Sequence, residues 1–121
     1  MQKKIALGNI KSKRDWGHAQ DYVKAMYLIL QKDEPGVYVI GTGIDHSVEY
    51  FARKAFEHVG LNYKDYIILD NKLIRPSEVS TLLADYTKAK KNLKWEPKIT
   101  FNDLVIDMVE SDLEFITNNK Y

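Results

Sequence analysis

Apolar positions along this chain switch between short unbroken runs and a three-and-four spacing, and the switches divide it into elements. Ile5-Ala6-Leu7 reads as a short strand ended by Gly8-Asn9, after which the polar Lys11-Ser12-Lys13 forms a loop that delivers Arg14. From His18 the residues Ala19, Tyr22, Val23, Met26, Ile29 and Leu30 define one face of an amphipathic helix, and Asp33-Glu34-Pro35-Gly36 stops it. Val37-Tyr38-Val39-Ile40 is a continuous, β-branched run, the pattern of a strand covered on both faces as in a parallel sheet. Gly41-Thr42-Gly43 closes it. Ser47 is placed as an N-cap with Glu49 in the first turn, and Val48, Phe51, Ala52, Ala55, Phe56 and Val59 predict a second helix that Gly60 ends.

Tyr66-Ile67-Ile68-Leu69 predicts another strand, and Ile74-Arg75 must be extended because the residue before Pro76 avoids the helical region. Asp85 caps a short helix from Tyr86 to Leu93, which Trp95-Glu96-Pro97 terminates. Thr100-Phe101-Asn102-Asp103 has the form of a capping box. It opens a helix with the stripe Phe101, Leu104, Val105, Met108, Val109, Leu113 and Ile116, leaving Asn118 to Tyr121 as a frayed tail. Two or three short strands alternating with about three main helices make an α/β pattern, with too few strands to close a sheet alone. The chain reads as part of a larger unit.

The 121 residues fit one domain, 1–121, and 45% hydrophobic with 29% charged residues is a globular balance. A net charge of +1 gives no field to attract nucleic acid or a membrane surface, so neither is an expected partner. Without cysteine there is no disulfide framework and no thiolate metal site, which fits a reducing compartment; a cytoplasmic location is expected. Lys3-Lys4 has no long apolar stretch behind it, as a signal peptide would, and no run of about 18 apolar residues is present to span a bilayer.

Candidate chemistry is sparse. Gly41-Thr42-Gly43 follows a predicted strand as a dinucleotide loop does, but position 46 is His where a third glycine would stand, so a plain strand-to-helix turn is the better reading. Tyr50/Lys54 and Tyr86/Lys90 have the Tyr-x-x-x-Lys spacing of an acid/base pair, though neither follows a cofactor strand, and Tyr50 with Lys54 falls on the solvated side of its helix. His18, His46 and His58 lack the spacing of a zinc motif, and His18 at a helix start reads as a hydrogen-bonding turn residue. Only three arginines stand among 18 basic residues, and two of them, Arg14 and Arg75, lie beside the stiffening residues Trp16 and Pro76. Two guanidinium forks with the Glu78 carboxylate suit a phosphorylated ligand. The alternative is internal pairing, of Arg14 with Asp15 or Asp21 and of Arg75 with Glu78.

A series of short motifs in one order adds to this. Leu7-Gly8-Asn9, Lys13-Arg14-Asp15-Trp16-Gly17-His18-Ala19, Asp21-Tyr22-Val23, Tyr38-Val39-Ile40 with Gly43, and His46-Ser47-Val48 are followed by Arg75-Pro76-Ser77-Glu78-Val79, Thr87-Lys88-Ala89 and Leu93-Lys94-Trp95-Glu96-Pro97. Together they resemble the C-terminal part of the GDP-mannose 4,6-dehydratases, extended short-chain dehydrogenase/reductases of Rossmann type. Lys94, where that family usually has Gly, and a shortened segment from Leu61 to Leu73 depart from the pattern. The resemblance implies a lyase that removes water from GDP-mannose to give GDP-4-keto-6-deoxy-mannose, on the way to GDP-fucose, with NADP taking a hydride from C4 and returning it at C6. It places the cofactor loop and the catalytic residues N-terminal to this chain, so the chain would bind no cofactor alone and would not be catalytic alone. Arg14 would hold the diphosphate or ribose, Arg75 the diphosphate and Glu78 the ribose hydroxyls of GDP-mannose or GDP, with Asn9 and Lys13 as further contacts. A separate N-terminal cofactor-binding chain or a homo-oligomer is the implied protein partner. A structural or interaction remnant, or part of another nucleotide-sugar epimerase or dehydratase, are the alternative readings.

Overall fold

The computed structural model describes residues 3–77 and 80–119. Among the described residues four three-residue strands form two separate ladders: β1 (Ile5–Leu7) pairs in parallel with β4 (Ile67–Leu69), and β2 (Lys13–Asp15) pairs antiparallel with β3 (Asp45–Ser47). The four α-helices are α1 (Ala19–Leu30), α2 (Val48–His58), α3 (Thr87–Leu93) and α4 (Phe101–Asn119). The α/β class stands, with short strands and three longer helices beside the short α3.

Capping follows the sequence closely. His18 Nδ1 accepts from the Gln20 N–H at the start of α1, Ser47 Oγ accepts from Tyr50 N–H at the start of α2, and Thr100 Oγ1 accepts from Asp103 N–H at the start of α4. Each satisfies a first-turn donor that the helix itself leaves unpaired. Gly60, past the end of α2, has φ 75°, a conformation that Gly adopts without a Cβ clash. The end of α3 lacks that advantage: Lys94 itself sits in the left-handed region, φ 53°, ψ 36°. Asp85 accepts from Thr87 N–H, although α3 begins at Thr87 and Tyr86 is the formal cap.

Three expectations are corrected. Lys13 to Asp15 is a strand and not a loop or turn, so Arg14 lies on a ladder opposite His46. Residues 37–40 belong to no ladder among the described residues; Tyr38 and Ile40 pack against the core while Val37 and Val39 are exposed. Of the tail expected to fray, Asn118 and Asn119 are part of α4, and Lys120 and Tyr121 lie outside the described residues.

Two packed centres hold these elements. Trp95, 2% exposed, lies with Ala25, Ala89 and Leu93 between α1 and α3, and its Nε1–H donates to the Asp21 carbonyl at 2.9 Å. The Asp21 carboxylate, buried on α1, accepts from the N–H groups of Lys98 and Ile99 at 3.1 and 3.0 Å and so fixes the approach to α4. In the second centre α2 packs on α4, with Leu104 and Val105 buried. Burial then fades along α4: Met108, Leu113 and Ile116, expected on its core stripe, are exposed.

Candidate functional site

Asn9, Lys13, Arg14 and Arg75 come from two stretches of chain, and backbone contacts bring those stretches together. Gly8 follows β1 and lies so close to the backbone after β4 that a Cβ there would meet the Leu73 carbonyl oxygen at 2.7 Å and the Ile74 nitrogen at 3.1 Å. Only Gly permits that approach. It sets Asn9 beside the segment leading into Arg75. Further on, Lys13 N–H donates to the Ser80 carbonyl at 2.8 Å and the Lys13 carbonyl accepts from Leu82 N–H at 3.3 Å, a parallel bridge between Lys13 and Thr81. The chain that carries Arg75 is therefore anchored at one end beside Gly8 and at the other beside Lys13.

Side chains at these positions differ in commitment. Asn9 Oδ1 accepts from Lys11 N–H at 3.1 Å. Arg14 is half-buried and its Nη1 donates to the Lys13 carbonyl at 2.6 Å, while Lys13 and Arg75 are exposed. Glu78 lies outside the described residues, so pairing of Arg75 with Glu78 does too. Of the partners expected for Arg14, the Asp15 carboxylate accepts instead from Thr42, Gly43 and Ala84, and Asp21 Oδ2 accepts from Lys98 and Ile99.

Asp15 is the site residue that sequence reasoning passed over. Its Oδ1 accepts from Thr42 N–H at 2.8 Å and Thr42 Oγ1 at 2.5 Å, and its Oδ2 accepts from Gly43 N–H at 2.8 Å and Ala84 N–H at 3.1 Å. One carboxylate thus joins β2, the Gly41-Thr42-Gly43 turn and the approach to α3. Burial pushes its pKa up, but the bonds from Thr42, Gly43 and Ala84 outweigh burial and hold it below the ordinary Asp value. A signal existed in the run Arg14-Asp15-Trp16-Gly17, where Asp stands next to the candidate ligand residue.

The same bonds decide the glycine turn. Its Thr42 and Gly43 N–H groups, which a pyrophosphate would need, are spent on Asp15, and a Cβ at Gly41 would lie 2.2 Å from that of Ala84. The turn does not fit a dinucleotide. Lys54 Nζ lies over the face of the Tyr50 ring, 5.5 Å from its centroid, and not at its hydroxyl as an acid/base pair would need. The Tyr50 ring is stacked on His46 at 5.1 Å and tilted against Phe101 at 5.6 Å, so it belongs to an aromatic cluster and not to a solvated helix side. Trp16 joins that cluster through Phe51 at 4.9 Å, and its Nε1–H donates to the His46 carbonyl at 2.9 Å, locking β2 to β3. A cavity of about 270 Å³ lies behind, between Trp16, His46, Tyr86 and Phe101. None of Asn9, Lys13, Arg14 or Arg75 lines it.

Comparison with known proteins decides the family. The profile of the GDP-mannose 4,6 dehydratase family matches residues 1–108. The chain belongs to that family. It is 47% identical over 120 residues to GDP-mannose 4,6 dehydratase 1 of Arabidopsis thaliana, covering 99% of this chain and 33% of the relative. The Homo sapiens GDP-mannose 4,6 dehydratase is 44% identical over 132 residues, covering 95% and 36%. This family member therefore spans about a third of the length of its relatives. Among solved structures, a UDP-glucose 4-epimerase from Thermotoga maritima with UDP-glucose superposes with a TM-score of 0.83 at 27% identity, over 93% of this chain and 36% of that one. A dTDP-glucose 4,6-dehydratase from Bacillus anthracis in complex with NAD superposes at 0.81 with 24% identity over 95% and 36%, a likeness of fold. These neighbours are Rossmann-type extended short-chain dehydrogenase/reductases, and the chain matches a fragment of them.

Proposed function

We propose that this chain is the nucleotide-sugar-binding portion of a GDP-mannose 4,6-dehydratase, a single unit over 1–121 that contributes one wall of the cleft and does not catalyse dehydration alone. The observation that carries this reading is the Gly8 approach, which sets the Asn9 loop against the Arg75 segment in a chain whose family acts on GDP-mannose. On this reading Arg14 and Arg75 grip the diphosphate of GDP-mannose, each guanidinium offering paired N–H donors to phosphate oxygens. Glu78 accepts from the ribose hydroxyls, with Asn9 and Lys13 at the margin. The Arg14 backbone is held on the β2–β3 ladder, so little ordering of the chain opposes binding there. Arg75 stands on a segment tied at Leu73 and at Ser80, which orients it without burying it.

NADP supplies hydride transfer when bound to the whole enzyme. The Gly41-Thr42-Gly43 amides, committed to Asp15, offer it no cradle at this turn, which supports reading the cofactor site as lying outside residues 1–121. A cytoplasmic location goes with this reading; among the described residues no helix is long and apolar enough to cross a membrane.

Calorimetric titration of the purified chain with GDP-mannose, with UDP-glucose as control, tests the proposal. Heat from the guanosine compound alone, lost in Arg75→Ala, is the expected result. Affinity unchanged in Arg75→Ala removes the site assignment, and a folded chain that binds neither compound removes the half-site altogether.

A further inference from the structure

The cavity of about 270 Å³ between Trp16, His46, Tyr86 and Phe101 is walled by pieces that bonds from distant residues hold in place. Trp16 Nε1–H reaches the His46 carbonyl, and the Phe101 ring stacks on the His46 imidazole with centroids 3.9 Å apart and planes 16° from parallel. Asp15 holds the Thr42 and Ala84 N–H groups, which sets Tyr86 just before α3. Asp21 holds the Lys98 and Ile99 N–H groups, which sets the chain entering Phe101. Collapse of these walls would break the bonds that fix them, so the cavity is preformed.

Its chemistry is narrow. Trp16, Tyr86 and Phe101 present aromatic rings, and His46 adds an imidazole. The ammonium group in the lining, that of Lys98, is spent on Glu96 at 2.9 Å, and no arginine takes part, so a phosphate has no free cation to meet. One polar atom of a lining residue is unspent: His46 Nδ1 is buried and has no hydrogen-bond partner among the described residues. Buried polar atoms nearly always have a partner, so an occupant that supplies one is favoured. A neutral imidazole nitrogen donates or accepts according to its tautomer, and a hydroxyl can answer either. Size narrows the class further. A cavity of about 150 Å³ takes one benzene ring, so about 270 Å³ has room for two fused rings and not for a nucleotide sugar.

We infer that this cavity is a second ligand site, for a flat, uncharged molecule of two fused aromatic rings that carries one hydroxyl. The rings lie among Trp16, Tyr86 and Phe101 in offset or edge-on contact, and the hydroxyl meets the His46 imidazole. The site stands apart from the nucleotide-sugar reading, because none of Asn9, Lys13, Arg14 or Arg75 lines the cavity.

Titration of the 121-residue chain with naphthol, followed by proton–nitrogen NMR and with naphthalene as control, tests this. The expected result is saturable one-to-one binding that shifts the Trp16 Nε1–H and the amides of Ile99 and Phe101, with naphthalene bound at least fivefold more weakly. Ile44 also lines the cavity and is 63% exposed, so its backbone can accept a larger ring. Ile44→Trp should therefore fill the cavity and weaken naphthol at least tenfold while leaving the melting temperature unchanged. His46→Phe, which keeps a ring in the stack, should bring the two affinities within twofold of each other. A folded wild-type chain that shows no saturable binding overturns the site, and so does undiminished naphthol affinity in Ile44→Trp. Naphthalene bound by wild type as tightly as naphthol overturns the hydroxyl and with it the class of ligand. GDP-mannose should leave the naphthol shifts in place; displacement by it would assign naphthol to the nucleotide-sugar cleft and overturn the separate site.

Discussion

Replacing Asp15 by Asn keeps the size of the side chain and removes half of its acceptors, so it isolates what the carboxylate does for the fold. The native carboxylate takes two donors on each oxygen, three of them backbone N–H groups from Thr42, Gly43 and Ala84. Asn retains one acceptor oxygen and turns an NH2 group toward the other pair of donors. Each stranded, partly buried donor costs about 1 kcal/mol or more, roughly 2 kcal/mol for the pair. The bonds that remain change from charge-assisted to neutral and lose about half their strength, roughly another 1 kcal/mol. The expected loss is therefore about 3 kcal/mol, or some 12 °C of melting temperature at about 4 °C per kcal/mol.

Urea unfolding of wild type and Asp15→Asn at several pH values measures it. The native pKa is lowered, so the stabilisation is fully present above the unfolded Asp value of about 4 and is lost as pH falls through the native value below it. The gap between the two proteins should be flat from about pH 7 to pH 5 and should narrow below about pH 4. A gap under about 0.5 kcal/mol at neutral pH, within the range of an ordinary surface substitution, would refute the bonding argument. A gap of full size that persists at acid pH would refute the assignment to the charged carboxylate.

Two further substitutions bear on the same framework. Lys94→Gly should raise stability by about 0.5–1 kcal/mol, because Lys94 holds a left-handed conformation that costs an L-residue about that much; a melting temperature unchanged or lowered would contradict this. Gly8→Ala should destabilise by about 2 kcal/mol, as an overpacked backbone contact does, and should also weaken GDP-mannose binding by moving the Arg75 segment away from Asn9. Calorimetry on a folded Gly8→Ala chain that binds as tightly as wild type would separate the contact from the site.

Much of this arrangement was legible locally. The caps at Ser47 and Thr100, the turn at Gly60 and the strand at Ile67 to Leu69 all follow from side chains acting on backbone a few residues away. Strands β2 and β3 were not legible. Lys13-Arg14-Asp15 and Asp45-His46-Ser47 contain no apolar alternation, and what holds them together is distant: the Trp16 indole on the His46 carbonyl and Asp15 on the 42–43 turn. No local period encodes such bonds. The candidate site was half legible for a related reason. Arg14 and Arg75 stood out by residue type, whereas the approach of the Asn9 loop to the segment leading into Arg75 rests on Gly8 meeting the Leu73 and Ile74 backbone, a contact between stretches some 65 residues apart.

The case of α1 runs the other way, since there the sequence held more than the folded chain uses. The residues Ala19, Tyr22, Val23, Met26, Ile29 and Leu30 read as one apolar face, yet the structure divides them: Tyr22 and Ile29 join the core around Trp95, and Val23, Met26 and Leu30 point away from it. A single broad stripe and two opposed stripes give similar three-and-four spacings, and Ala25 and Leu28 complete the inner one. Residues 37–40 repeat the pattern, with Tyr38 and Ile40 inward and Val37 and Val39 outward. Helix α1 and the segment 37–40 thus divide their apolar residues between the core and the surface. A local reading that expects one core per helix finds the correct elements and the correct residues, but assigns half of them to the wrong side. The surplus apolar surface is an outward stripe of Val23, Met26, Tyr27 and Leu30 that is left more than half exposed, and no spacing in the sequence separates it from the inner one.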